Sequence, residues 1–255
     1  MYEIGKTYVG KNGDEFKVLG TVDTNSNYKR IVVEFKGYEQ YPQVVPACSK
    51  NPKNSYKPTC YGVGYVGDLK SDVPFHKEIS QRWRAMLSRC YNKNHCAYPS
   101  YGGKGIKVCD EWLNFSNYYR WFITEMKRCN YSEPATSIHV DKDFMVPGSK
   151  IYSPTTCILL PVDINHFISR RTENSDTGFV GIGYMKNIKS KPYYFNKSKT
   201  GESKLVFFAT PEEAFEEYKL YFNKRREELL EEYKDNLTPE VTKRLEEIDI
   251  EYLVH

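Results

Sequence analysis

Hydrophobic and polar positions alternate with a period of two in two N-terminal runs, residues 14–19 and 30–35. That period sends successive side chains to opposite faces of a strand, so Phe16 and Val18, then Ile31, Val33 and Phe35, are expected to face a core. Lys11-Asn12-Gly13 ahead of the first run is a hairpin signal. Residues 1–68 therefore read as a small sheet or barrel. Its tail, YGVGYVG at 61–67, reads as a glycine-bent strand or linker, because a nucleotide loop needs a strand-to-helix context and a downstream Lys-Ser/Thr.

From residue 76 to 92 the period becomes helical, with Ile79, Trp83, Met86, Leu87 and Cys90 on one stripe and Lys77, Arg82, Arg84 and Arg89 left for the exposed face. A glycine-rich turn at 101–105 carries Lys104. A strand at 106–109 then leads to Trp112, and a second helix runs from Asn114, a candidate N-cap, to Lys127 with Phe115, Tyr118, Phe122 and Met126 inward. Residues 137–171 follow: SIHVDKDFMVPGSKIYSPTTCILLPVDINHFISRR. Residues 138–141 alternate, placing His139 and Asp141 on one strand face. Residues 157–160 form a second apolar run, and Pro161 opens a helical pattern through Ile164, Phe167 and Ile168. The order is strand, strand, helix.

Residues 172–178 read as a linker. Short β-like runs at 180–184, 193–195 and 205–208 lead to Thr210-Pro211-Glu212-Glu213, a capping box with Pro at the first helical position. The helix it opens carries Ala214, Phe215, Tyr218, Phe222, Leu229 and Leu230. From Thr238 and Pro239 a last, acidic helix is expected to end near Leu253 and to serve packing, a homodimer contact or a protein partner.

Composition changes this picture in three ways. A mean hydropathy of -0.66 and the lack of an apolar run long enough to span a bilayer argue for no membrane partner. Seven cysteines, an odd number at irregular spacing, argue against a disulfide framework and for a reducing cytoplasm, a host cell's if the protein is viral. Charge is asymmetric: from Phe207 onward there are 7 Lys and Arg against 14 Asp and Glu, leaving 30 basic against 19 acidic residues, a net of +11, before it. A basic body rich in tyrosine and phenylalanine fits a polyanionic partner, whose counterions clustered Lys and Arg displace.

The central motif resembles the HNH, or ββα-metal, nuclease superfamily, and in particular the divergent HNH proteins common in phages. The residues that carry the likeness are Asp141-Lys142-Asp143, Tyr152-Ser153-Pro154, Cys157, Pro161 and Ile164-Asn165, with RWRAMLSRCY at 82–91 and YGGKGIKVCDEWLNF at 101–115 upstream. The resemblance covers residues 76–171 and implies a metal-dependent DNA endonuclease. It places a metal-ligating carboxylate at Asp141 and a second ligand at Asn165, an oxygen pair suited to one Mg²⁺ or Mn²⁺. The family's base histidine directly follows that aspartate; here the position is Lys142, assigned to a phosphate oxygen. His139, two residues before Asp141, is nominated as base, with His166 its rival. Thr156 stands where relatives often carry an Asn that props the loop over the metal.

Residues 179–235, three strands and a helix with GIGY and ATPEEAF, resemble the AP2-type DNA-binding domain. Carried over, Lys186, Lys189, Lys191, Tyr193, Lys197 and Lys199 become contacts to double-stranded DNA, with Arg170 and Arg171 beside them. The expected fold class is α+β: a β-rich module at 1–68, a ββα-metal core at 76–171, an AP2-like segment at 179–235 and an acidic helix at 238–255. Cys90, Cys96, Cys109, Cys129 and Cys157 raise structural Zn²⁺ as an alternative, but no pair has CxxC spacing and buried thiols are the expected state. A second functional reading keeps both folds and DNA binding without catalysis, and a third makes the chain a protein-interaction factor through its acidic helices.

Overall fold

The computed structural model of the chain describes residues 2–22, 29–169, 177–199, 202–248 and 250, and only the backbone of residues 169, 198, 199, 202 and 203. The chain forms two compact units, Met1–Arg120 and Trp121–His255.

In the first unit, β1 (Thr7–Val9), β2 (Glu15–Val22), β3 (Arg30–Phe35) and β4 (Gln43–Pro46) form an antiparallel meander in chain order. The period-two positions pack as expected: Phe16, Val18, Ile31, Val33 and Phe35 are buried together with Val45. Tyr2 and Tyr8 close over Phe16, with ring centroids 5.5 and 5.9 Å away. Between Val18 and Gly20 the register with β3 shifts, a bulge that interrupts the alternation there.

The helical stripe also lands inward. In α1 (His76–Tyr91), Ile79, Trp83, Met86, Leu87 and Cys90 are all buried. Trp83 donates its Nε1 proton to the Trp112 carbonyl at 2.7 Å, which satisfies the one polar atom of a fully enclosed ring. Gly64 explains the glycines of residues 61–67: a β-carbon there would lie 2.5 Å from Leu87 Cδ1 and 2.9 Å from the Trp83 ring. The segment is thus a packed turn, bridged from Cys60 to Gly64, and Gly64 is the close-approach point. Two arginines differ from expectation. Arg82 and Arg89 are half-buried rather than exposed, because their stems share the helix flank with Ile79 and Met86. Burial pulls the Arg82 guanidinium below its ordinary value, and Arg89 lies over the Tyr101 ring at 5.1 Å.

The strand expected at 106–109 is the two-residue β5 (Lys107–Val108). The second helix forms as α3 (Phe115–Arg128), preceded by a short additional α2 (Asp110–Leu113) that stops at Asn114, which is extended and accepts the Ser116 N–H on its Oδ1 at 3.0 Å. Asn114 acts as the N-cap the sequence proposes.

In the second unit β6 (Ile138–Asp141), β7 (Ile151–Tyr152), β8 (Ile158–Pro161) and α4 (Val162–Ser169) realise the order strand, strand, helix, with β7 as a short addition. β6 and β8 pair antiparallel, His139 opposite Leu160 and Asp141 opposite Ile158. A three-stranded antiparallel sheet follows, with β10 (Tyr193–Lys199) between β9 (Gly183–Tyr184) and β11 (Glu202–Phe208). Its lysine-rich end pairs as fully as its apolar end, which is why β10 and β11 outrun the apolar runs in the sequence.

The helix that organises this unit is α5 (Pro211–Glu232). Thr210 caps it, accepting the Glu213 N–H at 3.2 Å. Ala214, Tyr218, Phe222 and Leu229 are buried in one core with Ile182 and Phe195 of the sheet region and with Ile158, Leu160 and Ile164 of β8 and α4. Phe222 stacks on Phe167 at 4.9 Å, and Tyr233 donates to Asp163 Oδ2 at 2.7 Å, so α4 is tied to α5 twice. Gly181, at φ +76°, passes under the Tyr218 ring where a β-carbon would approach to 2.3 Å. Finally, α6 (Pro239–Glu246) buries Val241 and Leu245 in the same core. The architecture is mixed α+β with several small antiparallel sheets. Among the described residues no helix is long and apolar enough to cross a membrane.

Because Phe222 meets both the sheet's cluster and α4, Phe222→Ala is expected to destabilise the chain by about 3–5 kcal/mol. Thr210→Ala, which removes only a cap, is expected to cost about 1 kcal/mol. Urea unfolding followed by circular dichroism measures both, and equal effects would argue against α5 as the shared element.

Candidate functional site

The site is built where β6 runs beside β8 and the chain turns into α4. Ile138 is buried beneath the strand, and the alternation leaves His139 and Asp141 half-buried on the other face. Ile164 anchors α4 inward and sets Asn165 and His166 beside it, Asn165 half-buried and His166 exposed. The Val162 N–H to Ser137 carbonyl bond, 2.7 Å, closes the strand pair at this end and fixes where the helix starts.

Three of the proposed residues come together. Asn165 Nδ2 lies 3.3 Å from His139 Nδ1, and the His139 and His166 rings meet edge to face with centroids 5.9 Å apart. Asp141 sits two residues along the same strand face from His139, a spacing of roughly 7 Å. Its Oδ1 accepts two backbone N–H bonds, from Asp143 at 2.9 Å and Phe144 at 2.7 Å, so the carboxylate caps the turn that follows β6. Among the described residues, no hydrogen bond or ion pair reaches Oδ2. Burial raises the Asp141 carboxyl above its ordinary value, more than the two N–H bonds lower it.

Asn165 couples the two halves of the site. With Nδ2 donating to His139 Nδ1, the neutral imidazole carries its proton on Nε2 and the amide oxygen faces away from that ring nitrogen. With the amide turned over, its oxygen accepts from Nδ1–H and the basic lone pair moves to Nε2. The two orientations exchange a metal-ligand role for a histidine-positioning role.

Lys142 is not part of this group. It is buried, 5% exposed, and its ammonium contacts both oxygens of Asp143 at 2.6 Å and lies over the Tyr152 ring at 5.9 Å. The phosphate role expected for it meets a physical obstacle: alternation turns residue 142 away from the face that holds His139 and Asp141. What Lys142 does hold is Asp143, whose N–H Asp141 caps. Thr156, where the resemblance leads one to look for Asn, bonds within its own loop, donating to the Ile151 carbonyl at 2.8 Å and accepting the Ser153 N–H at 3.2 Å.

On the three-stranded sheet the proposed contacts divide. Tyr193 and Lys197 share the strand face of Phe195, which is 1% exposed beneath α5; Tyr193 packs against that core and Lys197 lies 5.8 Å from the Phe195 and Tyr221 ring centroids. The open face carries Tyr194, Asn196, Leu205 and Phe207, with the Tyr194 and Phe207 rings 5.8 Å apart. Those four were missed, although the parity of Phe195 in the sequence assigns them. Lys186, Lys189 and Lys191 are exposed on the β9–β10 connection. Arg170 and Arg171 lie outside the described residues, as does the Lys199 side chain.

For Zn²⁺, no group of three His, Cys, Asp or Glu among the described residues has metal-holding geometry, and no disulfide links any of the seven cysteines. Cys90, Cys129 and Cys157 are buried, and burial pushes the Cys129 thiol up to about 11. No protein-family model matches this chain, and no curated protein or solved structure matches it significantly.

The raised Asp141 carboxyl fixes a pH dependence. The folded chain binds this proton more tightly than the unfolded chain does. The stability so gained is fully present below the ordinary carboxyl value of 3.8 and is lost as pH rises through the folded value. Asp141→Asn keeps an oxygen for the two N–H bonds and removes the charge. It is expected to be at least as stable as wild type at pH 7, with the difference shrinking as pH falls through the raised folded value and gone below 3.8, read by thermal unfolding across pH.

Proposed function

We propose that the chain is a metal-dependent DNA endonuclease of the HNH type, with β6, β8 and α4 as its ββα catalytic element. The observation that carries this reading is Asp141: a desolvated carboxylate with one oxygen spent on a turn and the other unclaimed, on the same strand face as a histidine that touches an asparagine on the following helix. A carboxylate oxygen that no protein donor claims is a ready cation ligand.

Asp141 Oδ2 is an oxygen donor of the kind that suits a single hard ion keeping several waters. Asp141 Oδ2 and the Asn165 amide oxygen would hold Mg²⁺ or Mn²⁺, which supplies charge neutralisation at the scissile phosphate and the leaving 3′ oxygen. His139 would take the proton of the attacking water on Nε2 when the Asn165 oxygen accepts from Nδ1–H, and in that orientation Asp141 Oδ2, with water and phosphate, holds the ion without the Asn165 oxygen. Exposed His166, edge to face with His139, contacts the phosphate or protonates the leaving oxygen. Lys142 is a positioning residue: with Asp143 it stiffens the turn that Asp141 caps.

The three-stranded sheet with α5 across one face supports an AP2-like DNA-binding role for the second half of the unit. In that arrangement the open face, Tyr194, Asn196, Leu205 and Phe207, lies on double-stranded DNA, and Lys186, Lys189 and Lys191 neutralise phosphates beside it. A non-catalytic DNA-binding protein is the second reading, and the burial of Lys142 at the family's base position favours it.

Plasmid nicking separates them. Purified protein is expected to convert supercoiled DNA to the nicked form with Mg²⁺ or Mn²⁺ and not with EDTA. Asp141→Ala is expected to lower the rate about 10²–10³-fold, and His139→Ala about 10²–10⁴-fold. Metal-independent cutting, or an Asp141→Ala protein that cuts at the wild-type rate, would overturn the assignment; salt-dependent DNA binding with no nicking would establish the second reading.

A further inference from the structure

We infer that a groove between the β10–β11 hairpin and α5 binds the phosphodiester backbone of nucleic acid, on the side of the sheet opposite its open face. The inference rests on the DNA-directed reading above and adds a second, separate contact surface to it. The groove has a volume of about 460 Å³ and is lined by Lys197, Lys204, Glu217, Leu220, Tyr221, Lys224, Arg225 and Glu228.

Its charge distribution is unusual for a packing groove. Lys197 and Lys204 are directly opposite each other in the strand register. Like charges at facing positions destabilise a strand pair, so their placement calls for an anion to offset it. Lys224 adds a third ammonium from the helix. All three are exposed, and among the described residues none forms an ion pair. The buried cation of the groove, Arg225, is by contrast already occupied, with Nη1 at 3.2 Å from Glu228 and 3.5 Å from Glu232. Glu228 is thereby neutralised, which leaves Glu217 as the one lining carboxylate without an ion pair among the described residues.

The shape suits a backbone rather than a compact anion. Two strand lysines and one helix lysine flank an open channel whose floor includes Tyr221, and Lys197 is held over that ring and Phe195. Ammonium groups spread along a channel neutralise successive phosphates, and each phosphate neutralised releases counterions. A hairpin whose open face enters a DNA groove meets the flanking strand with its other side, where these lysines stand.

The test is the salt dependence of duplex binding by the full chain, measured by fluorescence anisotropy with a labelled duplex of about 20 base pairs from about 50 to 200 mM salt. The variant K197Q/K204Q/K224Q is expected to lower the slope of log affinity against log salt by about 2 to 3, and to weaken binding at least about 10-fold at the upper salt. E217K is expected to steepen the slope by about 1. Metal-dependent nicking at low salt should persist in E217K. Unchanged slopes with nicking intact would overturn the groove assignment and leave the nuclease reading standing. If the triple variant fails to fold by circular dichroism, E217K decides alone, and an unchanged slope there overturns the proposal. A wild-type chain that binds no duplex at about 50 mM salt would overturn both.

Discussion

The second unit depends on the single apolar stripe of one helix. Ala214, Tyr218, Phe222 and Leu229 share one face of α5, and that face lies in a core that receives Phe195 from the sheet and Leu160 and Ile164 from β8 and α4. Each of these large side chains contributes roughly 1.5–3 kcal/mol when removed from water. The two strand systems are otherwise short: β6 and β8 have four residues each, β9 two. Neither could bury enough surface alone to offset its ordering entropy. Held on α5, they become rigid supports, and the side chains of interest sit at their margins.

The chemistry of the candidate site follows from that support. Ile164 and Phe167 fix the roll of α4, and that roll brings Asn165 within 3.3 Å of His139. β6 supplies the parity that puts Asp141 on the same face, and the turn after it consumes one carboxylate oxygen while burial disfavours the charge. A cation at Oδ2 would reverse that penalty, because an opposite charge favours the ionised carboxylate. In the proposed reading, desolvation rather than a cage of ligands is what would draw a metal to this site. Asn165, with one amide for two tasks, links the protonation state of His139 to the coordination of that cation.

Much of this was legible in the sequence, and the reasons differ from place to place. Phe16, Val33, Trp83, Phe122 and Phe222 were readable as core because periodicity reports the buried face directly. The caps at Asn114 and Thr210 were readable because a local hydrogen bond makes them. The strand-strand-helix order at 138–169 was readable from hydrophobic spacing, whereas the contact of Asn165 with His139 was not, because the sequence pointed to Asp141 as its partner. The burial of Lys142 was not, because it depends on Tyr152 and Asp143 covering an amphipathic stem. Arg82 and Arg89 misled in the same way, charged residues whose aliphatic parts pack on the helix flank. Tyr193 and Lys197 were assigned by likeness to the AP2-type domain, and only α5 decides which face of β10 is covered. The groove lysines became visible once the strand register set Lys197 against Lys204.

The central claim is that the unclaimed oxygen of Asp141 holds one divalent cation, and calorimetric titration of the full chain with Mn²⁺ tests it most directly. One site is expected in the wild type, its affinity increasing with pH as the carboxyl ionises, and lost in Asp141→Asn, which keeps the turn cap and the fold. Asp141→Asn binding Mn²⁺ as the wild type does, or a wild type that binds none with DNA present, would contradict the account.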